Sequence, residues 1–180
     1  MPTQIVSRWS KILLLAAFAL LFTVIVFNNV MDFGSNYEFV RHTLSMDTTF
    51  PGNHGMGRAI TSPTVHLVFY LSIIAWETLN AVLSWWGAVA MFRARRAPTA
   101  EFQHAKRIGI AALTLGMLQW LVAFEIVGAE WFLMWQSKTW NGQEAAFRMF
   151  MMEAAILLLV QMQEPGHALV AEGRSQEERR

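Results

Sequence analysis

Cysteine is absent from the 180-residue sequence. This absence excludes a disulfide framework, a thiolate metal site and a cysteine nucleophile. Charged residues are scarce, at 15% of the chain, whereas hydrophobic residues account for 54%. A soluble domain normally carries about 25% charged residues, so the composition predicts a membrane protein. The formal net charge of +1 is uninformative, and the information lies in how the charges are distributed along the chain.

The sequence motifs of common enzymes are also lacking. The chain contains no glycine-rich phosphate loop, no Gly-x-Ser-x-Gly nucleophile elbow and no His-Glu-x-x-His zinc motif. We therefore expect a protein that is not an enzyme and that has no cofactor. The basic stretch at residues 93–107 is explained more simply by membrane topology than by nucleic-acid binding, so no nucleic-acid partner is expected.

Four long apolar runs cover most of the chain, at about residues 12–30, 63–92, 108–135 and 145–162. Each is near or above the ~20 residues that a helix needs to cross a bilayer. The predicted fold class is all-α, an integral membrane four-helix bundle with a structured outer loop that contains a short helix. Residues 1–11 form the N-terminal segment, residues 12–163 the four-helix domain and residues 164–180 the tail. The first run ends without the small residues of a signal-peptidase site, so we expect it to remain as an uncleaved helix.

Basic residues fall in three segments that four spans would place on one side of the membrane. The N-terminal segment has Arg8 and Lys11, the loop between the second and third spans has five basic residues, and the tail has three arginines. Short cytoplasmic loops are enriched in lysine and arginine. We therefore predict that both termini are cytoplasmic.

The segment between the first two spans, residues 31–62, is too long for a simple connection. Ser35 and Glu38 match a capping box, with Ser35 as the N-cap and Glu38 at the third helical position. This pattern predicts a short helix that ends near Met46 and carries the apolar residues at positions 37, 40 and 44 on one face.

The second span holds the most informative residue, Glu77, near its middle. A carboxylate at mid-bilayer depth costs at least ~2.5 kcal/mol, so we expect it to face a protein interior. Steps of three and four residues place it in a polar seam on one helix face. The seam consists of His66, Tyr70, Glu77, Asn80 and Ser84. Two explanations stay open: a proton or cation path in which Glu77 titrates, and a hydrogen-bonded interior that holds the helices in register.

Other charged residues also fall inside the predicted spans. Glu153 lies in the fourth span at a depth similar to that of the seam glutamate, and the two can share a proton if they face each other. Arg148 enters the same span at the depth of Glu125 and Glu130. We expect Arg148 to pair with one of them, and Glu144, four residues before it, is a local alternative.

The histidines are poorly placed for haem or metal binding. No two spans offer histidines at one depth, so a bis-histidine haem is not expected. His42, His54 and His66 share the outer layer with Asp32 and Asp47, but their spacing matches no zinc signature. We therefore predict no metal site.

Two blocks of polar and aromatic residues carry a resemblance to a known family. The first block contains Asn36-Tyr37-Glu38-Phe39-Val40-Arg41-His42, Leu44-Ser45-Met46-Asp47-Thr48-Thr49-Phe50-Pro51 and Arg58-Ala59-Ile60. The second block contains Gly128-Ala129-Glu130-Trp131-Phe132, Met134-Trp135-Gln136-Ser137, Trp140-Asn141-Gly142-Gln143 and Ala146-Phe147-Arg148. They resemble the bacterial family known only as predicted small integral membrane proteins, a domain of unknown function. The resemblance covers about residues 8–160, including Ile74-Ala75-Trp76-Glu77. It implies a four-helix protein of the bacterial inner membrane and brings no established activity. Glu125 and Glu153 stand where the family tends to be apolar, which counts against the shared proton.

Both blocks belong to the outer side of the predicted topology, where we expect them to form a polar, tryptophan-rich cap. The candidate cap residues are Asn36, Arg41, His42, Asp47, Arg58, Glu130, Trp131, Gln136, Trp140, Asn141 and Arg148. Six of them, from positions 130, 131, 136, 140, 141 and 148, could build a pocket. Such a cap suits docking of a partner subunit, or binding of a quinone or lipid headgroup.

Three functional hypotheses follow. The leading one is a non-enzymatic accessory or structural subunit that binds a partner through its outer cap. The alternatives are a proton- or cation-coupled transport element centred on Glu77, and a quinone- or lipid-binding redox anchor. The expected partners are the lipid bilayer and either another membrane protein or further copies of this chain.

Overall fold

The computed structural model describes residues 3–164, and within this range every regular element is a helix. The helices are α1 (Thr3–Met31), α2 (Phe33–Ser45), α3 (Pro63–Arg93), α4 (Thr99–Ala105), α5 (Arg107–Leu118), a π-helix (Gln119–Trp131) that continues α5, and α6 (Gln143–Gln161). Short 3-10 helices occupy His54–Arg58 and Met134–Gln136. The predicted tail, residues 164–180, lies outside the described residues except for Glu164.

Within residues 3–164, three helical segments are long and apolar enough to cross a membrane: Thr3–Met31, Pro63–Arg93 and Thr99–Trp131. α6 has 19 residues and carries Glu144, Arg148 and Glu153, so its composition is less apolar than that of the other three. It packs beside α5 and the π-helix and completes a bundle of four. The predicted all-α membrane fold is confirmed, whereas the crossing of the membrane by α6 stays a prediction.

The start of α2 differs from the sequence prediction. The helix begins at Phe33, so Ser35 lies inside it and the predicted capping box is wrong. Asp32 alone separates α2 from α1, and its backbone N–H already donates to the carbonyl of Asn28 at 2.8 Å. Because the chain runs from one helix almost directly into the next, no serine cap is needed. α2 ends where Met46 takes a left-handed conformation with φ of 54°.

The predicted apolar face of α2 is confirmed. Val40 and Leu44 are buried against Tyr70 and Phe132. α2 therefore lies across the end of the bundle at which α3 begins, which we call the cap end. The opposite end carries Arg8, Lys11 and Lys106, and we call it the basic end.

The core of the bundle lies between α1, α3 and α5. Leu15, Phe18 and Phe22 of α1 are buried there. α3 and α5 lie close together at Gly87 and Gly109, where a Cβ added to Gly87 would lie 2.6 Å from the backbone nitrogen of Gly109. Small residues at such crossings let membrane helices pack backbone to backbone, and this contact sets the distance between the helices that carry the site.

Candidate functional site

The polar seam of α3 points into the bundle. His66, Tyr70, Glu77, Asn80 and Ser84 are all buried. His66 donates from Nε2 to the carbonyl of Ile60 at 2.7 Å, and the Tyr70 hydroxyl donates to the carbonyl of Asn29 at 2.8 Å. These bonds join the start of α3 to the loop before it and to the end of α1.

Glu77 is 3% exposed and receives two amide hydrogen bonds. Asn29 of α1 donates from Nδ2 to Oε2 at 2.6 Å, and Gln119 of the π-helix donates from Nε2 to Oε1 at 3.1 Å. Among residues 3–164, Glu77 forms no ion pair. The carboxylate therefore links three helices through neutral donors, which leave its charge uncompensated.

Asn80 and Gly116 occupy the next layer. With the amide of Asn80 oriented to satisfy both groups, its nitrogen donates to the carbonyl of Ala112 at 2.7 Å and its oxygen accepts from the N–H of Gly116 at 3.2 Å. A Cβ on Gly116 would lie 2.5 Å from Oε2 of Glu153. A side chain at position 116 would therefore have to displace the end of the Glu153 side chain, which lies against the helix backbone.

Glu153 of α6 is completely buried and has a different partner from Glu77. Trp120 donates from Nε1 to Oε1 of Glu153 at 2.6 Å, and Oε2 has no hydrogen-bond partner among the described residues. Within residues 3–164 no hydrogen bond joins the two glutamates. Each carboxyl group has its own donor, so the geometry does not support the shared proton that the sequence suggested.

The π-helix supplies one donor to each glutamate, from adjacent positions. Gln119 contacts Glu77 and Trp120 contacts Glu153, and both side chains are buried. The segment keeps the i to i+5 hydrogen bonding of a π-helix to its end, where the N–H of Phe132 donates to Val127 at 3.0 Å. Such segments often occur at functional sites. It ends at Trp131, four residues before the end of the predicted third span.

A cavity of about 320 Å³ opens beside Glu77. Asn29, Tyr70 and Glu77 form its polar floor, and Asn36 of α2 lies on its cap side. Phe39, Trp120 and Phe124 contribute aromatic side chains to the lining, and we call its apolar residues on α1 and α6 the rim. We call this space the lateral cavity because its rim lies between two helices rather than at an end of the bundle.

Charged residues at the start of the cap form a compact network. Arg41 donates to Oε2 of Glu38 at 2.7 Å, and this hydrogen bond lowers the pKa of Glu38 below its ordinary value. Arg41 also lies 2.7 Å from Nε2 of His42, while Nδ1 of His42 lies 2.8 Å from Asp47. Because arginine can only donate, Nε2 accepts and Nδ1 carries the proton toward Asp47.

The same histidine joins α2 to the loop after the π-helix. The His42 ring stacks on Trp140 with a centroid distance of 4.7 Å. Thr48 donates to the hydroxyl of Ser137 at 2.8 Å, and the N–H of Phe50 donates to Oε1 of Gln136 at 3.0 Å. The two sequence blocks therefore pack together.

The remaining predicted cap residues are dispersed. Asn36 donates to the carbonyl of Asp32, the guanidinium of Arg58 lies 5.4 Å from the Trp131 ring centroid, and Asn141 accepts from the N–H of Gln143. Glu130 is exposed. These contacts are local, so the structure does not gather the predicted six-residue pocket around one ligand.

The predicted ion pair of Arg148 is wrong. Arg148 is exposed and, within the described range, pairs with neither Glu125, Glu130 nor Glu144. Five residues separate it from Glu153 on α6, which corresponds to about 140° around a helix. Since Glu153 points into the bundle, Arg148 points away from it.

The basic end contains a site that sequence reasoning missed. Lys11 and Lys106 donate to the same carbonyl of Met162, at 2.7 and 2.8 Å, and both lie within ion-pair distance of Glu164. Arg8 donates to the carbonyl of Ala97 at 2.7 Å. We interpreted these cations from the sequence as topology signals only. The spacing of Arg8 and Lys11 places them on the same helix face as Leu15, and this shared face indicates that they are buried.

Residues 3–164 contain no group of three or more histidine, aspartate or glutamate side chains that could hold a metal ion. Of the five outer histidines and aspartates considered from the sequence, His42 and Asp47 are in contact, whereas His66 is bonded to a backbone carbonyl.

Comparison with known proteins places the chain in a family. Residues 7–163 match the family model described as predicted small integral membrane protein (DUF2165). No curated protein and no solved structure matches the chain. The matched range includes α1 from Ser7 onward, α2 to α6, the cap and both blocks that carried the resemblance. The chain therefore belongs to the family of predicted small integral membrane proteins, whose function is unknown.

Proposed function

We propose that this protein is a non-enzymatic accessory subunit of a bacterial inner-membrane complex and that it docks its partner through the cap. The observation that carries this proposal is a set of exposed large apolar side chains on the cap, which we call the aromatic cap surface. It consists of Phe50, Met56, Trp131 and Trp135. Trp131 is 55% exposed and Trp135 is 44% exposed.

The aromatic cap surface is held in place by the structure beneath it. Phe50 packs edge-on against Trp135 at 5.8 Å, and its backbone is bonded to Gln136. Arg58 lies over Trp131. Tryptophan and arginine are enriched among the residues that dominate binding energy at interfaces, and side chains that are already ordered lose less entropy on docking.

A belt of tryptophans at the membrane surface is the competing explanation of these side chains. The two explanations differ in what a double substitution would remove. If these side chains anchor the protein in lipid, the substitution lowers insertion of the chain into the membrane. If they form a docking surface, it lowers recovery of a stoichiometric partner. The experiment therefore has to follow both insertion and partner recovery.

The test is purification of the tagged protein from native membranes into nanodiscs, followed by mass spectrometry. We expect a stoichiometric partner with the wild type and a loss of about tenfold or more with the double variant Phe50→Ala and Trp135→Ala. Trp86→Ala is the matched control because Trp86 is 60% exposed on α3, away from the cap. A homo-oligomer without partner, or equal recovery with both variants, would contradict the proposal.

Glu77 supports a second candidate, a proton- or cation-coupled transport element. The supporting observation is a buried carboxylate that the described residues surround with neutral donors only. In proteoliposomes with an internal pH dye, we expect Glu77→Gln to abolish flux and the exposed control Glu130→Gln to retain it. Absence of flux in the wild type would remove this candidate.

A further inference from the structure

We propose that the lateral cavity binds a neutral, bilayer-soluble quinol or quinone, with a quinol hydroxyl donating to Glu77 or a ring oxygen accepting from Asn29. This site takes Asn36 and Phe39 of the cap into its lining, but Glu77 and Asn29 belong to α3 and α1. The sequence placed quinone or lipid binding on the outer cap itself. The lateral cavity does not depend on partner docking, because neither the aromatic cap surface nor any partner contributes to it.

The walls of the cavity suit a flat ring. Phe39 of α2, Phe124 and Trp120 of the π-helix all line it. Phe124 packs against Trp120 at 5.0 Å and against Phe39 at 6.3 Å. Ligand sites are mostly apolar and aromatic, with a few polar groups that fix orientation. The volume of about 320 Å³ is at the lower end of such sites.

The charge of the lining selects a neutral head group. Among the residues that line the cavity, Glu77 is the acidic one, and neither lysine nor arginine is present. A phospholipid phosphate would meet a carboxylate and no cation, which is unfavourable away from water. A hydroxyl or carbonyl group carries no such penalty.

The polar floor has hydrogen-bonding capacity to spare. The carboxylate of Glu77 offers about four acceptor sites, and the two amides of Asn29 and Gln119 occupy one on each oxygen. A quinol hydroxyl can donate to the carboxylate. A ring oxygen can accept from the second N–H of Asn29, whose first N–H is bound to Glu77.

The rim of the cavity faces the side of the bundle. Leu21 and Ile25 of α1 and Met149 of α6 line it, and all three are half-buried. α1 and the end of α6 are tied together at the basic end through Lys11 and Met162. The opening thus lies between α1 and α6 toward the cap end, where a ligand can enter from the bilayer.

The test measures binding of a tritiated short-chain ubiquinone, oxidised and reduced, to the full-length protein in phosphatidylcholine nanodiscs. Ile25→Trp fills the rim, whereas Val24→Trp adds the same side chain at a neighbouring position that is 46% exposed on the outside. We expect saturable binding by the wild type, a loss of about tenfold or more with Ile25→Trp, and a change within about twofold with Val24→Trp.

The Glu77→Gln variant is expected to affect binding of the reduced and the oxidised ligand differently. Removing the charge is expected to weaken quinol binding about tenfold, since hydrogen bonds to charged groups are the stronger ones, and to change quinone binding little. Non-saturable binding by the wild type would overturn the proposal, as would equal effects of the two tryptophan variants. Stoichiometric phosphatidylglycerol in native mass spectrometry, displaced by Ile25→Trp, would also overturn it by showing a phospholipid site.

Discussion

At the scale of single residues, the two buried glutamates differ in how fully they are hydrogen-bonded. Glu77 receives a donor on each oxygen, whereas Glu153 receives one indole N–H and leaves Oε2 without a described partner. A buried polar atom without a partner costs about 1–3 kcal/mol. Trp120 is therefore the residue on which the burial of Glu153 depends.

Substitution of Trp120 by Phe tests this dependence. We expect Trp120→Phe to lower the free energy of unfolding by about 1–3 kcal/mol, because it leaves both oxygens of Glu153 unpaired. Thermal unfolding in a mild detergent measures the change. Trp86→Phe is the control, since Trp86 lies exposed on α3. Equal melting temperatures for the two variants would show that the indole bond contributes nothing.

Glu38 and Arg41 give a prediction about pH. Hydrogen bonding to Arg41 lowers the pKa of Glu38 below its ordinary 4.5. The stabilising contribution of the pair is therefore complete above pH 4.5 and is lost as pH falls through the lowered value. In a ¹³C NMR titration, Arg41→Met should raise the pKa of Glu38, and Arg58→Met should leave it unchanged. An unaltered pKa in Arg41→Met would refute the assignment.

At the scale of elements, regular helices were more predictable than the contacts between them. The start of α3 at Pro63 and the burial of its seam follow from helix punctuation and from the cost of exposing polar groups to lipid. The π-helix was not predicted, because hydropathy depends only on composition. It does not distinguish backbone hydrogen bonds that span four residues from those that span five. Gln119 and Asn29 were not predicted as partners of Glu77 for a related reason. The packing of the helices determines which donors on other helices lie within reach of the carboxylate.

The crossing of α3 and α5 gives a prediction at this scale. Gly87→Ala should destabilise the bundle by about 1–3 kcal/mol, because its Cβ would overlap the backbone of Gly109. Gly34→Ala is the matched control on α2, where an added Cβ meets no atom within 4 Å. We expect this control to be neutral or stabilising. Thermal unfolding of both variants provides the measurement, and a stable Gly87→Ala variant would mean that the helices do not approach as described.

At the scale of the whole molecule, the two ends are held together in different ways. Aromatic stacking and hydroxyl bonds join the cap, whereas buried cations that share the Met162 carbonyl join the basic end. The predicted orientation, with the basic end in the cytoplasm, follows from lysine and arginine enrichment.

The absence of cysteine makes this orientation directly measurable. Single cysteines at Gly57→Cys on the cap and at Arg96→Cys on the basic end can be labelled in intact cells with a membrane-impermeant maleimide, against an unreactive wild type. We expect labelling of Gly57→Cys in intact cells and labelling of Arg96→Cys only after the membrane is opened. The reverse pattern would invert the topology, and labelling of both in intact cells would show that the two ends share a side.

The bonds of Lys11 to Met162 and Glu164 have a consequence for biogenesis. The lysine is made among the first residues of the chain, whereas its partners follow 151 and 153 residues later. At about 5–20 residues per second, the nascent first helix waits roughly 8–30 s before these acceptors are synthesised. The chain therefore cannot neutralise its own N-terminal lysine until synthesis of the domain is nearly complete. A product truncated before Met162 would lack both of these acceptors.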